Sequence, residues 1–298
     1  MAYSVAVIGL GAMGMGAAQS CVRAGLDTYG VDLSAQARDV LQAAGAKAVA
    51  ASADGFADKL DAVLLLVVNA AQVEAVLFGK SKLADKLKPG TAVMVSSTIA
   101  AQDASRFGEA LAARGLLMLD APVSGGAAKA AAGEMTVMAA GDDATFAKLQ
   151  PVLDAVAGKV YRCGKDIGQG ATVKIIHQLL AGVHIAAGAE AMALAAKAGI
   201  PLDLMYDVVT HAAGNSWMFE NRMKHVVDGD YTPLSMVDIF VKDLGLVTDT
   251  GKALRFPLPL ASTAFNMFTE ASNAGHGKED DSAVIKIFSG IELPKKGG

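Results

Sequence analysis

The chain has little cysteine, few aromatic residues and little charge, and each shortage removes a class of function. Cys21 and Cys163 are the only cysteines in 298 residues. Two so far apart form neither a disulfide framework nor a CxxC redox or zinc pair, and a reducing, cytoplasmic setting is expected. Aromatics are 5% of the chain, too few to build a base-stacking surface. The formal net charge is −4, and no basic run exceeds Lys295-Lys296, so no nucleic-acid partner is expected. The five histidines show no HxH or HxxxH spacing with accompanying carboxylates, so no metal is expected. No basic segment precedes the apolar run at 5–8, which argues against a signal peptide. The apolar run 62–68 is far too short to cross a bilayer. The longer 179–196 stretch carries His184 and Glu190 and reads as a buried helix, so no membrane partner is expected.

What is present is apolar and small. Hydrophobic residues make up 53% and charged residues 19%, enough to bury large cores, and the length suggests two domains. The first half alternates strand-like runs (5–8, 28–31, 62–68, 91–95 and 116–119) with helical patterns such as 13–24 and 35–44. Runs 134–140 and 159–162 look like further strands. This is the rhythm of an α/β fold, a Rossmann-type doubly wound parallel sheet. The rhythm changes near Gly164. Residues 168–198 hold no proline and read as one helix, about 45 Å long at 1.5 Å per residue, stopped by Gly199-Ile200-Pro201. Segments 202–211, 238–254 and 258–274 are helical by pattern. The expected organisation is a dinucleotide-binding Rossmann domain over 1–164, followed by an all-helical domain over 165–298 for substrate and oligomerisation.

Gly9-Leu10-Gly11-Ala12-Met13-Gly14 fits G-x-G-x-x-G directly after the first strand and at the start of a helix. The first glycine makes a tight turn, the second lets a pyrophosphate approach the backbone, and the third lets the helix pack on the strand. Asp32 ends the second strand, where an acid binds ribose hydroxyls. It favours NAD over NADP, with Arg38 the nearby cation able to relax that choice. Asn69 and Thr98 follow two further strands, at the carboxyl edge where open α/β sheets bind ligands; ordinary helix capping accounts for them equally well. Ser124-Gly125-Gly126, after Asp120-Ala-Pro-Val, offers a hydroxyl and unobstructed backbone N–H groups, a small anion site suited to a carboxylate, although a Pro/Gly turn is the competing reading. Lys174 is a candidate proton-transfer group with apolar neighbours and no acid close in sequence. Gln178 shares its helix face one turn on. Lys242-Asp243 reads, by itself, as a surface charge pair.

Together these motifs resemble the β-hydroxyacid dehydrogenase family, which includes 3-hydroxyisobutyrate dehydrogenase and tartronate semialdehyde reductase. The resemblance covers nearly the whole chain, and four ordered motifs carry it: Gly9–Gly14, Asp120–Gly126, Gly168 to Lys174, and Lys242-Asp243. It implies a Rossmann domain, a helical domain and an active site between them. It makes Lys174 the catalytic residue and Ser124, Gly125 and Gly126 the carboxylate site. Cofactor binding falls to Gly9, Gly11, Ala12, Met13, Gly14, Asp32, Asn69, Thr98 and Lys242. The chain departs from the family in having His177 and Gln178 where members commonly have two asparagines. That run, with Gly214-Asn-Ser-Trp217, looks like a branch that oxidises the 2-hydroxyl of a four-carbon sugar acid with NAD, which makes His177 and Gln178 substrate-binding.

The expected reaction is hydride transfer from a small hydroxy acid to NAD, with Lys174 as base in oxidation and acid in reduction. One alternative is a reductase of tartronate or succinic semialdehyde, or a 3-hydroxyisobutyrate dehydrogenase. Another is a non-catalytic cofactor-binding module, which would have no need for Lys174. A homodimer or homotetramer is expected from the resemblance. The small residues Ala181, Gly182, Ala189 and Ala193 on the long helix would permit close helix contacts.

Overall fold

Short aliphatic runs bounded by glycine and polar turns make nine strands in a computed structural model that describes residues 3–297. The strands are β1 (Ser4–Ile8), β2 (Asp27–Val31), β3 (Ala48–Ala50), β4 (Ala62–Leu65), β5 (Ala92–Val95), β6 (Leu117–Asp120), β7 (Val123–Ser124), β8 (Met135–Ala140) and β9 (Ala157–Gly164). Between them run α1 (Ala12–Arg23), α2 (Ala35–Ala43), α3 (Ala70–Phe78), α4 (Leu83–Lys86), α5 (Ala101–Ala112), α6 (Gly126–Ala132) and α7 (Asp143–Val156). The sheet order is β3-β2-β1-β4-β5-β6-β8-β7, with β9 also on β8. Strands β3 to β6 pair in parallel. Central β1, β4 and β5 are buried along their whole length, as strands covered on both faces must be.

The period of two decides which face each side chain serves. Val5, Val7, Leu64, Met94 and Leu119 join one core with Ala17 and Cys21 of α1 and Phe146 and Leu149 of α7. Ala6, Ile8, Val63, Leu65 and Val93 join the other with Val73 and Leu77 of α3 and Phe107 and Leu111 of α5.

Two strand expectations need correction. The 62–68 strand stops at Leu65, because the chain turns out of the sheet to enter α3: Val68 is exposed and its N–H donates to Gln72 Oε1. The sheet is also not wholly parallel, since β8 runs antiparallel to β6 and β7. Only a short connection through α6 separates β7 from β8, and parallel pairing would demand a longer crossover.

By contacts the chain divides into Met1–Lys174 and Ile175–Gly298. The division falls inside α8 (Gln169–Lys197), a single 29-residue helix. The second unit continues with α9 (Leu202–Thr210), α10 (Trp217–Asp228), α11 (Val237–Leu254) and α12 (Pro259–Ala271). Among its described residues there is no strand, only an isolated bridge between Met236 and Asp280. Its core gathers Ile185, Met192, Phe219, Met223, Phe240, Leu244 and Phe268. Helix α12 ends at Ala271, short of the expected 274, and Gly275 at φ +97° breaks the helical path just beyond. Helix α10 was not anticipated, although its signals are visible. Ser216 Oγ accepts from Phe219 N at 3.0 Å as an N-cap, and Phe219, Met223 and Val226 are buried at i, i+4 and i+7.

The four small residues expected to permit close helix contacts make those contacts within this chain. Ala181, Ala189 and Ala193 are core residues of the second unit, and a Cβ on Gly182 would lie 2.9 Å from Leu244 Cδ2 on α11. Gly182 thus lets α8 and α11 approach closely.

Candidate active site

The loops after β1 and β4 leave the sheet in different directions, because β2 lies on one side of β1 and β4 on the other. That divergence makes a ligand crevice at the carboxyl edge. Gly9 has φ +92°, and a Cβ there would sit 2.7 Å from Leu66 O. A Cβ on Gly14 would sit 1.7 Å from Gly9 O, so α1 can start here only with glycine at both places. Gly11 behaves differently: its Cβ would meet nothing within 4 Å. No side chain caps α1 at Gly11, so the first-turn N–H groups, including those of Ala12 and Met13, are left to a ligand. Tight packing at Gly9 and Gly14 with open space at Gly11 fits a pyrophosphate.

Asp32 lies just past β2. Its Oδ2 accepts from Leu10 N at 2.7 Å and its Oδ1 from Ser34 N at 2.8 Å. The carboxylate is thereby fixed beside the glycine turn, and each oxygen retains acceptor capacity for a ribose hydroxyl. Arg38 directs Nη1 to the carbonyls of Asp32 and Leu33, at 2.7 and 2.9 Å, so its guanidinium is engaged with the backbone of that same turn. Asn69 caps α3, its Oδ1 accepting from Gln72 N at 2.9 Å. Thr98 is half-buried in the loop after β5. Both lie at the carboxyl ends of adjacent strands, as expected for that edge.

Ser124 is half-buried on β7, opposite Thr136. Gly125 and Gly126 follow with φ of +128° and +70°, where other residues are strained. A Cβ on Gly126 would meet nothing within 4 Å, so this backbone stands open to a small anion.

Asp120 has a role that the motif alone did not reveal. It is buried, and its Oδ2 accepts from Gly168 N at 2.8 Å and Ala171 N at 2.9 Å. A carboxylate at this helix start meets both the free N–H groups and the positive end of the dipole. Burial nevertheless pushes its carboxyl up, while the N–H groups of Ala171, Gly168 and Gly170 pull it down. A Cβ on Gly170 would fall 2.6 Å from both Asp120 O and Met138 O, so this end of α8 is pinned against β6 and β8. Lys174 follows on the same helix and is 6% exposed, which removes the reading of a solvated surface lysine.

In the second unit Gln178 is buried, and its Nε2 donates to Asp243 Oδ2 at 2.5 Å. Gln178 Oε1 lies 3.0 Å from His177 Nδ1. Asp243 is 2% exposed, and its Oδ1 pairs with Lys242 Nζ at 2.6 Å. The expected surface pair is therefore half wrong: Lys242 reaches partial exposure, whereas Asp243 is interior. The signal was available, since Asp243 falls on the buried stripe Phe240, Asp243, Leu244, Val247 of α11.

Comparison with known proteins agrees with these features. The family model for the NAD binding domain of 6-phosphogluconate dehydrogenase matches residues 4–164. That for the NAD-binding part of NADP-dependent 3-hydroxyisobutyrate dehydrogenase matches 168–288. The chain belongs to the β-hydroxyacid dehydrogenase family typified by 3-hydroxyisobutyrate dehydrogenase. It is an NAD-dependent oxidoreductase acting on the CH–OH of a hydroxy acid. An L-threonate dehydrogenase of Pectobacterium atrosepticum is 76% identical over 294 residues, covering 99% of this chain and 97% of that protein. A crystal structure described as 3-hydroxyisobutyrate dehydrogenase from Salmonella typhimurium is 72% identical with a TM-score of 0.93, covering 96% of this chain and all of that one. A 3-hydroxyisobutyrate dehydrogenase of Mycobacterium tuberculosis, solved with L-serine, is 31% identical with a TM-score of 0.84, covering 97% and 100%. Two different substrates are thus attached to relatives above 70% identity.

Proposed function

We propose that this enzyme oxidises L-threonate at its 2-hydroxyl to 2-dehydro-L-erythronate, with Lys174 as the acid–base group. The observation that carries the choice of substrate is the His177–Gln178 pair. It stands one turn from buried Lys174, and its polar atoms are bonded to each other and to Asp243. 3-Hydroxyisobutyrate has one hydroxyl, the one that reacts, and leaves nothing for a second polar side chain to read. L-Threonate carries two more. The high identity to L-threonate dehydrogenases over nearly the whole chain supports the same reading.

When bound, NAD supplies the hydride acceptor, held by Gly9, Gly11, Ala12, Met13 and Gly14 at the phosphates and Asp32 at the ribose, with Asn69, Thr98 and Lys242 as further contacts. Ser124, Gly125 and Gly126 take the substrate carboxylate. Lys174 accepts the proton of the 2-hydroxyl as the C2 hydrogen departs with its electron pair, and the carbonyl forms. In the reverse direction it returns the proton to the oxygen. The domain division proposed for these tasks is 1–164 and 165–298.

We place the enzyme in the cytoplasm, with its two cysteines unpaired, acting on a small soluble acid without nucleic-acid or membrane partners. We propose a homodimer or homotetramer. The support is the exposure of Ile176, Leu180 and Leu194 on α8, and light scattering on a sizing column tests it, a monomer counting against. The substrate test is nicotinamide absorbance with a panel of three- to five-carbon hydroxy acids. L-Threonate should give the highest kcat/KM, and preference for 3-hydroxyisobutyrate or a semialdehyde would reject the assignment.

A further inference from the structure

Helix α11 carries Lys242 and Asp243, yet no side chain caps its start. Two of the N–H groups that a helix leaves free there donate to a distant part of the chain. Val237 N donates to Glu279 O at 3.1 Å and Asp238 N to Gly277 O at 3.0 Å. Gly277 permits this approach, since a Cβ there would lie 2.5 Å from Asp238 Oδ1. The loop ahead of the helix meets the same segment. Asp280 N donates to Tyr231 O at 3.0 Å, Asp281 N donates to Ser235 O at 2.9 Å, and Met236 forms an antiparallel bridge with Asp280. The Asp280 side chain joins the two. It is fully buried, and its Oδ2 accepts from Leu234 N at 3.0 Å, while Oδ1 accepts from Ser282 N at 3.1 Å and Ser282 Oγ at 2.7 Å. One oxygen holds the loop and the other holds the segment, and the three donors satisfy a group that would be costly to bury unpaired. The Lys296–Asp230 pair at the base of the loop, 2.9 Å apart, lies largely in solvent and contributes little.

We infer that Asp280 is a positioning residue of this dehydrogenase: by tying the 231–236 loop to segment 277–282 it fixes where α11 begins and so places Lys242 for the cofactor. This rests on the proposed role of Lys242 as a cofactor contact. Lys242 lies five residues beyond Val237, about 8 Å along the helix axis at 1.5 Å per residue. A first turn that frays is therefore felt in the turn that carries it. Placement on that scale matters, because a distant mutation that misplaces a contact by about 1 Å can cost about a hundredfold. Phe240 and Leu244 in the core and the Asp243–Gln178 bond hold the helix further along, and Asp280 holds its start.

Calorimetric titration of the whole enzyme with NAD reads both the number of sites and the Kd. A residue that only supports the fold lowers the number of sites and leaves the Kd of the remaining molecules unchanged. Asp280→Ala should raise the Kd about fivefold or more, the scale of one lost hydrogen bond. Asp280→Asn should restore it, because the amide oxygen can accept from Leu234 N while the NH2 faces Ser282 Oγ, which accepts as well as donates. Ser282→Ala removes a buried bond at the other oxygen and should leave the Kd as it is, whatever it does to the melting temperature. Should Asp280→Ala not fold, leucic acid in place of Leu234, introduced by nonsense suppression, sets an ester oxygen where the N–H stood. It deletes the same bond and should raise the Kd likewise. Lys242→Ala should also raise the Kd, and adding Asp280→Ala should raise it little further, because both act through one contact. An unchanged Kd in Asp280→Ala or in the ester enzyme, or an equal rise in Ser282→Ala, overturns the inference and leaves α11 held by its core contacts alone. An unchanged Kd in Lys242→Ala overturns instead the reading of Lys242 as a cofactor contact.

Discussion

At the scale of single residues, burial separates Lys174 from an ordinary helix lysine. A lysine side chain with 6% exposure gives up hydration that a surface ammonium keeps, and such a cost is tolerated where the group has work to do. Lys174→Ala should lower kcat by roughly 10² or more, the range for a lost acid–base group, with NAD affinity measured by fluorescence titration little changed. A near-normal kcat would remove Lys174 from the chemistry. Asp32 and Arg38 set the second residue-scale expectation. Asp32 is fixed by two backbone N–H groups, and Arg38 is turned onto the carbonyls of the same turn. A ribose 2′-phosphate would meet a fixed carboxylate, so the ratio of kcat/KM for NAD over NADP should exceed one and should narrow in Asp32→Ser. A wild type that prefers NADP contradicts the assignment.

At the scale of elements, the start of α8 is the most informative. Glycine at 170 permits contact with two carbonyls, and Asp120 satisfies the N–H groups of Gly168 and Ala171. The position of Lys174 along the helix follows from that anchoring. Asp120→Ala leaves buried donors unpaired and should cost about 1–3 kcal/mol in urea unfolding, with kcat falling because the first turns of α8 lose their fixed start. Unaltered stability would mean that the turn is held by other contacts.

At the scale of the whole molecule, the second unit carries its own buried ionic centre, apart from the site residues. Arg222 on α10 pairs through Nε with Asp281 Oδ1 at 2.7 Å, both buried. Burial and neighbouring Asp280 push the Asp281 carboxyl up to about 8, with Arg222 pulling the other way. The folded state therefore holds a proton on Asp281 that an unfolded carboxyl, at about 3.9, has already released. The stabilisation from this proton is complete below about pH 4 and is lost as pH rises toward about 8. Asp281→Asn removes the titration, so the melting temperature of the wild type relative to this variant should fall across that window. A constant difference would place the carboxyl at its ordinary value. Above about pH 8, where the carboxyl is ionised, Arg222→Leu leaves a buried charge without its partner and should destabilise by about 3–5 kcal/mol, whereas Arg222→Leu with Asp281→Leu should recover part of the loss.

Local patterns in the chain determined much of this enzyme. Glycine spacing after a strand marked the nucleotide turn, because only glycine fits at Gly9 and Gly14, where a Cβ would strike backbone. Apolar runs marked the central strands, and a proline-free stretch marked α8. These are short-range effects, written in adjacent residues. The antiparallel pairing of β8, the Asp120 anchor and the Gln178–Asp243 bond were decided only in three dimensions. Each joins residues separated in sequence, as Asp120 is from Gly168 and Gln178 from Asp243, and hydrogen bonds across such gaps leave no periodic trace. Asp243 shows the limit most plainly. It reads in sequence as half of a surface charge pair although it lies on an apolar stripe, and only the packing of α11 against α8 at Gly182 supplied the partner that makes a buried carboxylate tolerable.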